Sequence, residues 1–468
     1  MAKQRRGRRR GQSHGRGYGR NHQAKPNIPV PEGIVTATIE KLGHDGRGIA
    51  RINGKTTFID GALAGESVEF IYRRCHSRYD EAEVVQILEP ASERVAPPCE
   101  YAATCGGCSL QHLQPSEQIA HKQSVLIEQL AHFGNQQPAL IVDPIVGDTL
   151  GYRCKARLSV KHVPNQSCVV GFREKSSSRV VNIKHCPVLA PKLAGLIPEI
   201  QQLVNGLSDG SAISHIDLVQ GDETAAITFR HIKPLRDADF QALLLFSQQH
   251  LVDLYLQPGG NDLVHQVWPE HGNERLSYKF DAFDVKMQFH PSDFIQVNAN
   301  NNRKMVKRVI ELLELDRKDR VLDLFCGIGN FTLPIAKTAG SVVGVEGNDL
   351  MVTRGKENAC YNHLSNVEFY GSDLTKDLTD KPWARAGFNK VLIDPPRAGA
   401  LDILKNITSL SPEKIVYVSC NPATLARDSG KLSDLGYQMM EVGAVDMFPH
   451  TTHVESIALF EPIKKSRK

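Results

Sequence analysis

The stretch Ile415-Val416-Tyr417-Val418-Ser419-Cys420-Asn421-Pro422 decides how the C-terminal part of the chain folds. A run of β-branched and aromatic residues needs both faces covered, so it reads as a buried strand. Asn421-Pro422 forbids its continuation. The strand therefore ends at a thiol, on the edge where open α/β sheets bind ligands. A lone unpaired cysteine in a chain of 468 residues is ordinarily a small buried hydrophobe. What separates Cys420 from that default is the company it keeps.

Four further runs supply that company. Arg320-Val321-Leu322-Asp323-Leu324 leads into the turn Phe325-Cys326-Gly327-Ile328-Gly329-Asn330, and Ser341–Val345 ends at Glu346. Val367–Tyr370 is followed by Gly371-Ser372-Asp373, and Lys390–Ile393 by Asp394-Pro395-Pro396-Arg397. Alternating with helical text from about Val285 onward, these predict a doubly wound parallel sheet whose carboxyl edge gathers polar groups into one crevice. Glu346 lies 19 residues after Gly327, a distance that suits a carboxylate accepting from ribose hydroxyls. Position 332 is Thr, where a dinucleotide fingerprint has its third glycine. A nucleoside cofactor without phosphates, S-adenosylmethionine, fits better, with Asp373 toward the adenine.

A methyl donor beside a thiol implies a particular chemistry. Carbon 5 of uracil is too weak a nucleophile to attack a sulfonium methyl unaided; a thiolate adding to carbon 6 makes it one. A base must then remove the carbon 5 proton so that the enzyme is released. Phe448-Pro449-His450-Thr451-Thr452-His453-Val454-Glu455 precedes a terminal strand, Ser456–Phe460. If that strand runs antiparallel to its neighbours, Glu455 shares the edge with Cys420 and is the candidate base, the histidines being alternatives. The Asp-Pro-Pro element carries Arg397 where enzymes acting on exocyclic amines place an aromatic residue, which argues against an amino target.

Composition bounds the rest. The chain is 41% hydrophobic and 23% charged, ordinary for a globular protein of two to four domains. No apolar run approaches the ~18 residues of a membrane span, and no signal peptide opens the sequence. The ten cysteines then point to a reducing, cytoplasmic setting. Net charge is +4, yet nine Lys/Arg and no acid fall in residues 1–31, so the remainder carries about −5. That Gly/Arg-rich tail predicts disorder and attraction to phosphate. Alternating segments and Gly/Asp turns from Ile34 to about Glu89 predict a small all-β barrel, and Arg73 through Tyr79 offers basic and aromatic groups to RNA. Arg153, Lys155 and Arg157 alternate along a strand, and their shared basic face also suits an RNA path.

Cys99, Cys105 and Cys108 cluster around Gly106-Gly107. Three sulfurs so placed can face one centre and need a fourth ligand. Cys186, in Ile183-Lys184-His185-Cys186-Pro187, is the best candidate, with Cys154 and Cys168 as competitors. Four thiolates fit zinc or an iron–sulfur cluster, and the spacing lacks the two short Cys-x2-Cys pairs of many zinc sites.

Taken together, the Cys-x5-Cys-Gly-Gly-Cys run with its distant cysteine, Phe294-Ile295-Gln296-Val297-Asn298, Asp-Pro-Pro-Arg, Ser-Cys-Asn-Pro and His-Thr-Thr-His-Val-Glu closely resemble the RNA uracil-5-methyltransferases. The N-terminal barrel resembles a TRAM domain, and the likeness spans about residues 33–463. It implies a multidomain protein: a basic tail over 1–31, a TRAM β-barrel (OB-like) over 32–91, a central α+β iron–sulfur domain over 92–285, and a Rossmann-like class I methyltransferase over 286–463. The helical segment 111–142 is expected to pack on the last of these. The resemblance makes Cys420 the nucleophile and Glu455 the base. It assigns a 4Fe-4S cluster to Cys99, Cys105, Cys108 and Cys186, and cofactor contacts to Gln296, Phe325, Asn330, Glu346, Asp373 and Asp394. It also sets Phe294 against the target base, which must be unpaired or flipped. Relatives acting on transfer RNA typically lack barrel and cluster, so the implied partner is 23S ribosomal RNA, met by a monomer. A methylthiotransferase also joins a TRAM domain to iron–sulfur chemistry, but with another cysteine spacing. A purely RNA-binding protein would need no crevice.

Overall fold

The structure is a computed structural model. It describes residues 28–464 apart from 164–166, 261–262, 272–273, 377–380, 382, 385 and 386. Nearly all of the basic tail lies outside the described residues. The chain divides into two compact units, one ending at Pro90 and the other running from Ala91 and including Gly43–Gly46.

The first unit is a six-stranded sheet in the order Val35–Thr38, Ser67–Cys75, Tyr79–Glu89, Lys55–Asp60, Gly48–Ile52, Lys41–Leu42. Its first and last strands are separated in sequence only by Ile39 and Glu40, whose amides donate to Glu66 O and Ile49 O, both at 2.8 Å. The sheet therefore closes on itself as a barrel. Inward positions alternate along Ser67–Cys75 and bury Val68 and Phe70 with Ile39, Ile59 and Ala82. Of the basic run, Arg73 pairs with Glu83 at 2.7 Å, Arg74 and Arg78 are exposed, and His76 stacks on Tyr79 with ring centroids 4.4 Å apart.

The second unit holds two large sheets. The C-terminal one has eight strands in the order Val367–Gly371, Ser341–Glu346, Arg320–Leu324, Lys390–Ile393, Lys414–Ser419, Glu455–Pro462, Tyr437–Val445, Leu140–Ile141. The first five are parallel, and Glu455–Pro462 runs antiparallel to both neighbours. Every residue of Lys390–Ile393 and Lys414–Ser419 is buried, the pattern demanded of strands covered on both faces. Chain order reverses between Arg320–Leu324 and Lys390–Ile393, which is where such sheets open a ligand crevice.

Helix Pro115–Gly134 belongs to this sheet's packing. It lies against helix Pro422–Asp434 so closely that a Cβ on Gly134 would sit 2.4 Å from Ala426 O. Glycine is required for that approach. The chain then adds Leu140–Ile141 to the sheet edge, parallel to Tyr437–Val445.

The other large sheet has seven strands, from Val180–Asn182 at one edge to His265–Trp268 at the other. Helices Pro191–Gly206 and Asp237–His250 share its core through Leu193, Ile197, Leu243 and Phe246. A separate hairpin, Leu276–Phe280 with Val285–Phe289, docks on the methyltransferase-like sheet's helix Asp349–Tyr361. Asn358 and Asn362 of that helix each receive and return a backbone hydrogen bond to Gln288 and Lys286. The boundary expected between 285 and 286 thus falls inside a hairpin.

Candidate active site

Six adjacent strands present the site. The Arg320–Leu324 strand turns at Phe325, whose φ of +63° is left-handed, and passes Gly327 and Gly329 at +56° and +97°. The Phe325 and Cys326 amides both donate to Val345 O, at 2.9 and 3.2 Å, folding the turn over the next strand. A Cβ on Gly329 would meet Leu333 Cδ1 at 2.1 Å, whereas one on Gly327 would meet nothing within 4 Å. The first glycine faces open space, where a cofactor can approach the backbone; the second serves packing.

Glu346 ends the neighbouring strand. Its Oε2 accepts from Gly327 N at 3.2 Å and its Oε1 from Asn348 N at 2.9 Å, leaving further lone pairs for hydroxyl donors. One strand farther out, Asp373 Oδ1 accepts from Thr375 N at 3.1 Å and Oγ1 at 2.7 Å, and Lys376 lies 3.1 Å from Oδ2. The Thr375 hydrogen bonds, with Lys376 beside them, hold the Asp373 carboxyl down at about 2.

Asn330 is fixed from three directions: its Oδ1 accepts from Tyr278 OH and Asn302 Nδ2, both at 2.9 Å, and its Nδ2 donates to Asn302 Oδ1 at 3.0 Å. Gln296 lines a cavity of about 330 Å³ together with Tyr278 and Asn302, the two residues that hold Asn330. Beneath the turn lies a group that sequence reading passed over. Asp323 is fully buried, receives Thr332 Oγ1 at 2.6 Å, and burial pushes its carboxyl up to about 8. Its position inside an apolar strand was the available signal.

On the other side of the switch point, Asp394, Cys420 and Glu455 end three neighbouring strands. Ser419 pairs with Ser456 across the antiparallel ladder, which sets Cys420 and Glu455 opposite each other one step beyond. Burial pushes the thiol up to about 11; the Glu455 and Asp394 carboxylates push the same way and Arg397 opposes them. Glu455 is 3% exposed, and desolvation holds it well above the usual carboxyl range, with Asp394 adding to the effect. Burial raises Asp394 to about 7. Helix Pro422–Asp434 begins just after the thiol, with Asn421 Oδ1 capping Ala423 N at 3.1 Å. A helix terminus contributes only ~0.3–1 kcal/mol, so burial wins and the resting group is a thiol.

Of the histidines, His450 is a structural donor and acceptor. Its N donates to Gln118 Oε1 at 2.7 Å, its Nδ1 meets Gln118 Nε2 at 3.1 Å, and its carbonyl accepts from Ser109 and Leu110, each at 2.9 Å. His453 Nδ1 lies 3.3 Å from Arg397 Nη2. Phe294 is 70% exposed, the one exposed residue between His290 and Asn298.

The cysteine cluster lies elsewhere in the second unit. Cys99, Cys105, Cys108 and Cys186 all line one cavity of about 290 Å³. Burial raises all four thiols, Cys186 to about 11, and Cys108 and Cys186 also feel the charge of Cys99. The competitors point elsewhere: Cys154 opens on the Gln296 cavity, and Cys168 lies 3.7 Å from His162 Nδ1. Among the described residues, no group of three or more His, Cys, Asp or Glu side chains is gathered tightly enough to hold a single metal ion.

The expected basic strand face is not free. Arg157 forks onto Asp217 at 2.6 and 2.9 Å, and Lys155 Nζ donates to the carbonyls of Pro291 and Asp293. Arg153 lies outside the strand, which begins at Lys155, and a loop and a neighbouring strand engage the other two cations. No helix among the described residues is long and apolar enough to cross a membrane.

Comparison with known proteins agrees with this geometry. The tRNA (uracil-5-)-methyltransferase family profile matches residues 114–463, and the TRAM domain profile matches 33–85. The chain is 51% identical over 443 residues to the Alcanivorax borkumensis 23S rRNA (uracil(1939)-C(5))-methyltransferase RlmD, covering 94% of this chain and 100% of that one. It is 47% identical to the Hahella chejuensis protein of the same name, covering 92% and 98%. Among solved structures, the Pyrococcus abyssi tRNA (uracil-54, C5)-methyltransferase in complex with S-adenosyl-L-homocysteine superposes with a TM-score of 0.68 at 25% identity, covering 91% and 100%. With the profile spanning most of its length and close relatives matching from end to end, this chain belongs to the RNA uracil-5-methyltransferase family and carries an N-terminal TRAM domain.

Proposed function

We propose that this protein methylates carbon 5 of a uridine in 23S ribosomal RNA, the uridine corresponding to the one named for its relatives, using S-adenosylmethionine. The observation that carries the reading is the placement of Cys420 opposite Glu455 at the ends of two paired strands, beside Asp394. The cofactor fits the residues present: an open glycine turn at Gly327, Glu346 with acceptor capacity to spare, and the fixed amide of Asn330.

Cys420, once its proton has gone to solvent, adds Sγ to carbon 6 of the uracil. The 5,6 electrons pass into an enolate whose carbon 5 takes the methyl group, leaving the donor as a neutral thioether. S-adenosylmethionine, when bound, supplies the methyl group on a cationic sulfonium, a charge that favours ionisation of the neighbouring thiol and carboxyl. Glu455 then takes the proton from carbon 5, and the electrons left behind expel Cys420 Sγ and restore the 5,6 double bond. A carboxylate whose pKa is raised by burial is the stronger base for that step. The charge of Arg397 favours the ionised form of the thiol. Asp394 is placed to face the uracil, and Phe294 to stack on the nucleotide drawn out of its helix.

The test is methyl transfer from labelled S-adenosylmethionine to unmodified 23S and transfer RNA transcripts, with the product uridine mapped by mass spectrometry. Label confined to carbon 5 of one 23S uridine supports the reading. Label only in transfer RNA would move the substrate to the class of the Pyrococcus enzyme.

For the cysteine cavity we propose a 4Fe-4S cluster bound by Cys99, Cys105, Cys108 and Cys186, with a structural role. Four thiols lining one cavity suit a cluster whose irons each take one thiolate. Iron and sulfide assay of anaerobically purified protein tests it; stoichiometric zinc with no sulfide overturns it.

A further inference from the structure

Lys155 and Phe294 are 139 positions apart in sequence, yet the fold brings the lysine to the loop that leads into the phenylalanine. Lys155 Nζ donates to Pro291 O at 2.8 Å and to Asp293 O at 2.5 Å, two carbonyls of the loop that leads into Phe294. The same loop closes on itself through Asp293 N to His290 O at 2.8 Å and His290 N to Asp293 Oδ2 at 2.8 Å. Asp293 is 1% exposed and forms an ion pair with Arg354, which is 7% exposed. On the far side of Phe294, Cys154 N donates to Val297 O at 2.8 Å, and Arg153 bridges Asn298. Three successive residues, Arg153, Cys154 and the strand-opening Lys155, thus hold the segment 291–298 on both sides of its single exposed ring.

An exposed Phe on an unsupported loop would yield when pushed between bases, because unstacking a nucleotide costs a few kcal/mol. Two carbonyls bound to one amine cannot rotate independently. We propose that Lys155 is a positioning residue that holds Phe294 in place for stacking against the displaced nucleotide, and that it makes no phosphate contact. Burial pushes the Lys155 amine down to about 8. Both the ammonium and the neutral amine carry at least two hydrogens, so the clamp holds in either state.

This inference rests on the stacking role given to Phe294 above, and the experiment separates the two. Lys155→Met, Phe294→Ala, the double variant and wild type are assayed on a 23S rRNA fragment for kcat, RNA affinity and its salt dependence. Backbone amide exchange is followed over 292–298. Expected for Lys155→Met are faster exchange confined to that segment, kcat reduced about tenfold, and RNA affinity within twofold at an unchanged salt slope. The double variant should be no slower than Phe294→Ala alone, the non-additivity of residues acting as one unit. Asp293→Asn, which keeps both carbonyls but removes the charge facing Arg354, should give a smaller loss of the same kind and guards against misfolding of the first variant.

Unchanged exchange, additive losses in the double variant, or a salt slope lower by about one would each overturn the proposal, the last by revealing a phosphate contact. A wild-type protein that transfers no methyl group to the fragment would defeat the functional reading instead, leaving amide exchange to decide the clamp.

Discussion

Ser419 and Ser456 are direct partners across the antiparallel ladder and its last pair, and Cys420 and Glu455 are the residues that adjoin them at that end. The geometry comes from one reversal of strand direction: the terminal strand delivers its amino end to the edge where the parallel strands deliver their carboxyl ends. Cys420 and Glu455 therefore adjoin a main-chain pair, to which Ser456 Oγ adds a hydrogen bond to Ser419 O at 3.3 Å.

Cys420→Ala should abolish methyl transfer while leaving cofactor affinity within a factor of about three, because burial keeps the resting thiol neutral and its loss removes no charge. Calorimetric titration with S-adenosylhomocysteine alongside a methylation assay checks both halves. Methylation at an undiminished rate would end the thiol mechanism.

Glu455→Gln should separate the two halves of the reaction. Addition and methyl transfer need only the thiol, whereas elimination needs the base, whose loss slows turnover by ~10²–10⁴-fold. The methylated RNA should then remain attached to the protein, visible as a shifted band on a denaturing gel. A variant that turns over slowly without any adduct would place the base elsewhere.

Three carboxyls should each cost the cofactor-free protein stability as pH rises through the neutral range. Asp323 at about 8, Asp394 at about 7 and Asp253 at about 6 all have folded values above the ordinary 3.8, in each case chiefly through burial. At these three carboxyls the folded state thus binds more protons than the unfolded state above about pH 4, so their share of the slope of stability against pH is negative. The contribution is complete below that pH and is lost progressively up to about 8. Asp323→Asn keeps an acceptor for Thr332 Oγ1 and removes the ionisation. At pH 8 it should raise the free energy of urea unfolding by ~1 kcal/mol or more and flatten the curve between pH 5 and 8. An identical pH dependence in the variant would show that Asp323 does not titrate there.

Much of the site was legible because buried parallel strands announce themselves. Arg320–Leu324 and Lys390–Ile393 were read to the residue, and Lys414–Ser419 to within one, since their apolar runs stop where the chain reaches the solvent edge. The sequence could not tell which charged side chains turn inward. Lys155 and Lys122 look like solvated cations, and only loops distant in sequence supply the carbonyls and carboxylate that bury them. The hairpin Leu276–Phe280 with Val285–Phe289 was split by the expected boundary for a similar reason: the amides that hold it, Asn358 and Asn362, lie some 70 residues farther on.

Lys122 carries the last prediction. It is 1% exposed on helix Pro115–Gly134, and its Nζ donates to Asp446 Oδ1 at 2.7 Å and Phe448 O at 2.9 Å, fixing the start of the loop that ends at Glu455. Desolvation lowers the lysine while Asp446 raises it, and desolvation is the larger influence. Lys122→Met strands a buried carboxylate, so unfolding free energy in urea should fall by about 3–5 kcal/mol. Adding Asp446→Leu removes the stranded charge and should restore most of that stability. It does not restore the hydrogen bond to Phe448 O, so methylation should stay below wild type in the double variant while its stability recovers. Full recovery of both would show that the pair serves stability alone and that Glu455 is positioned without it.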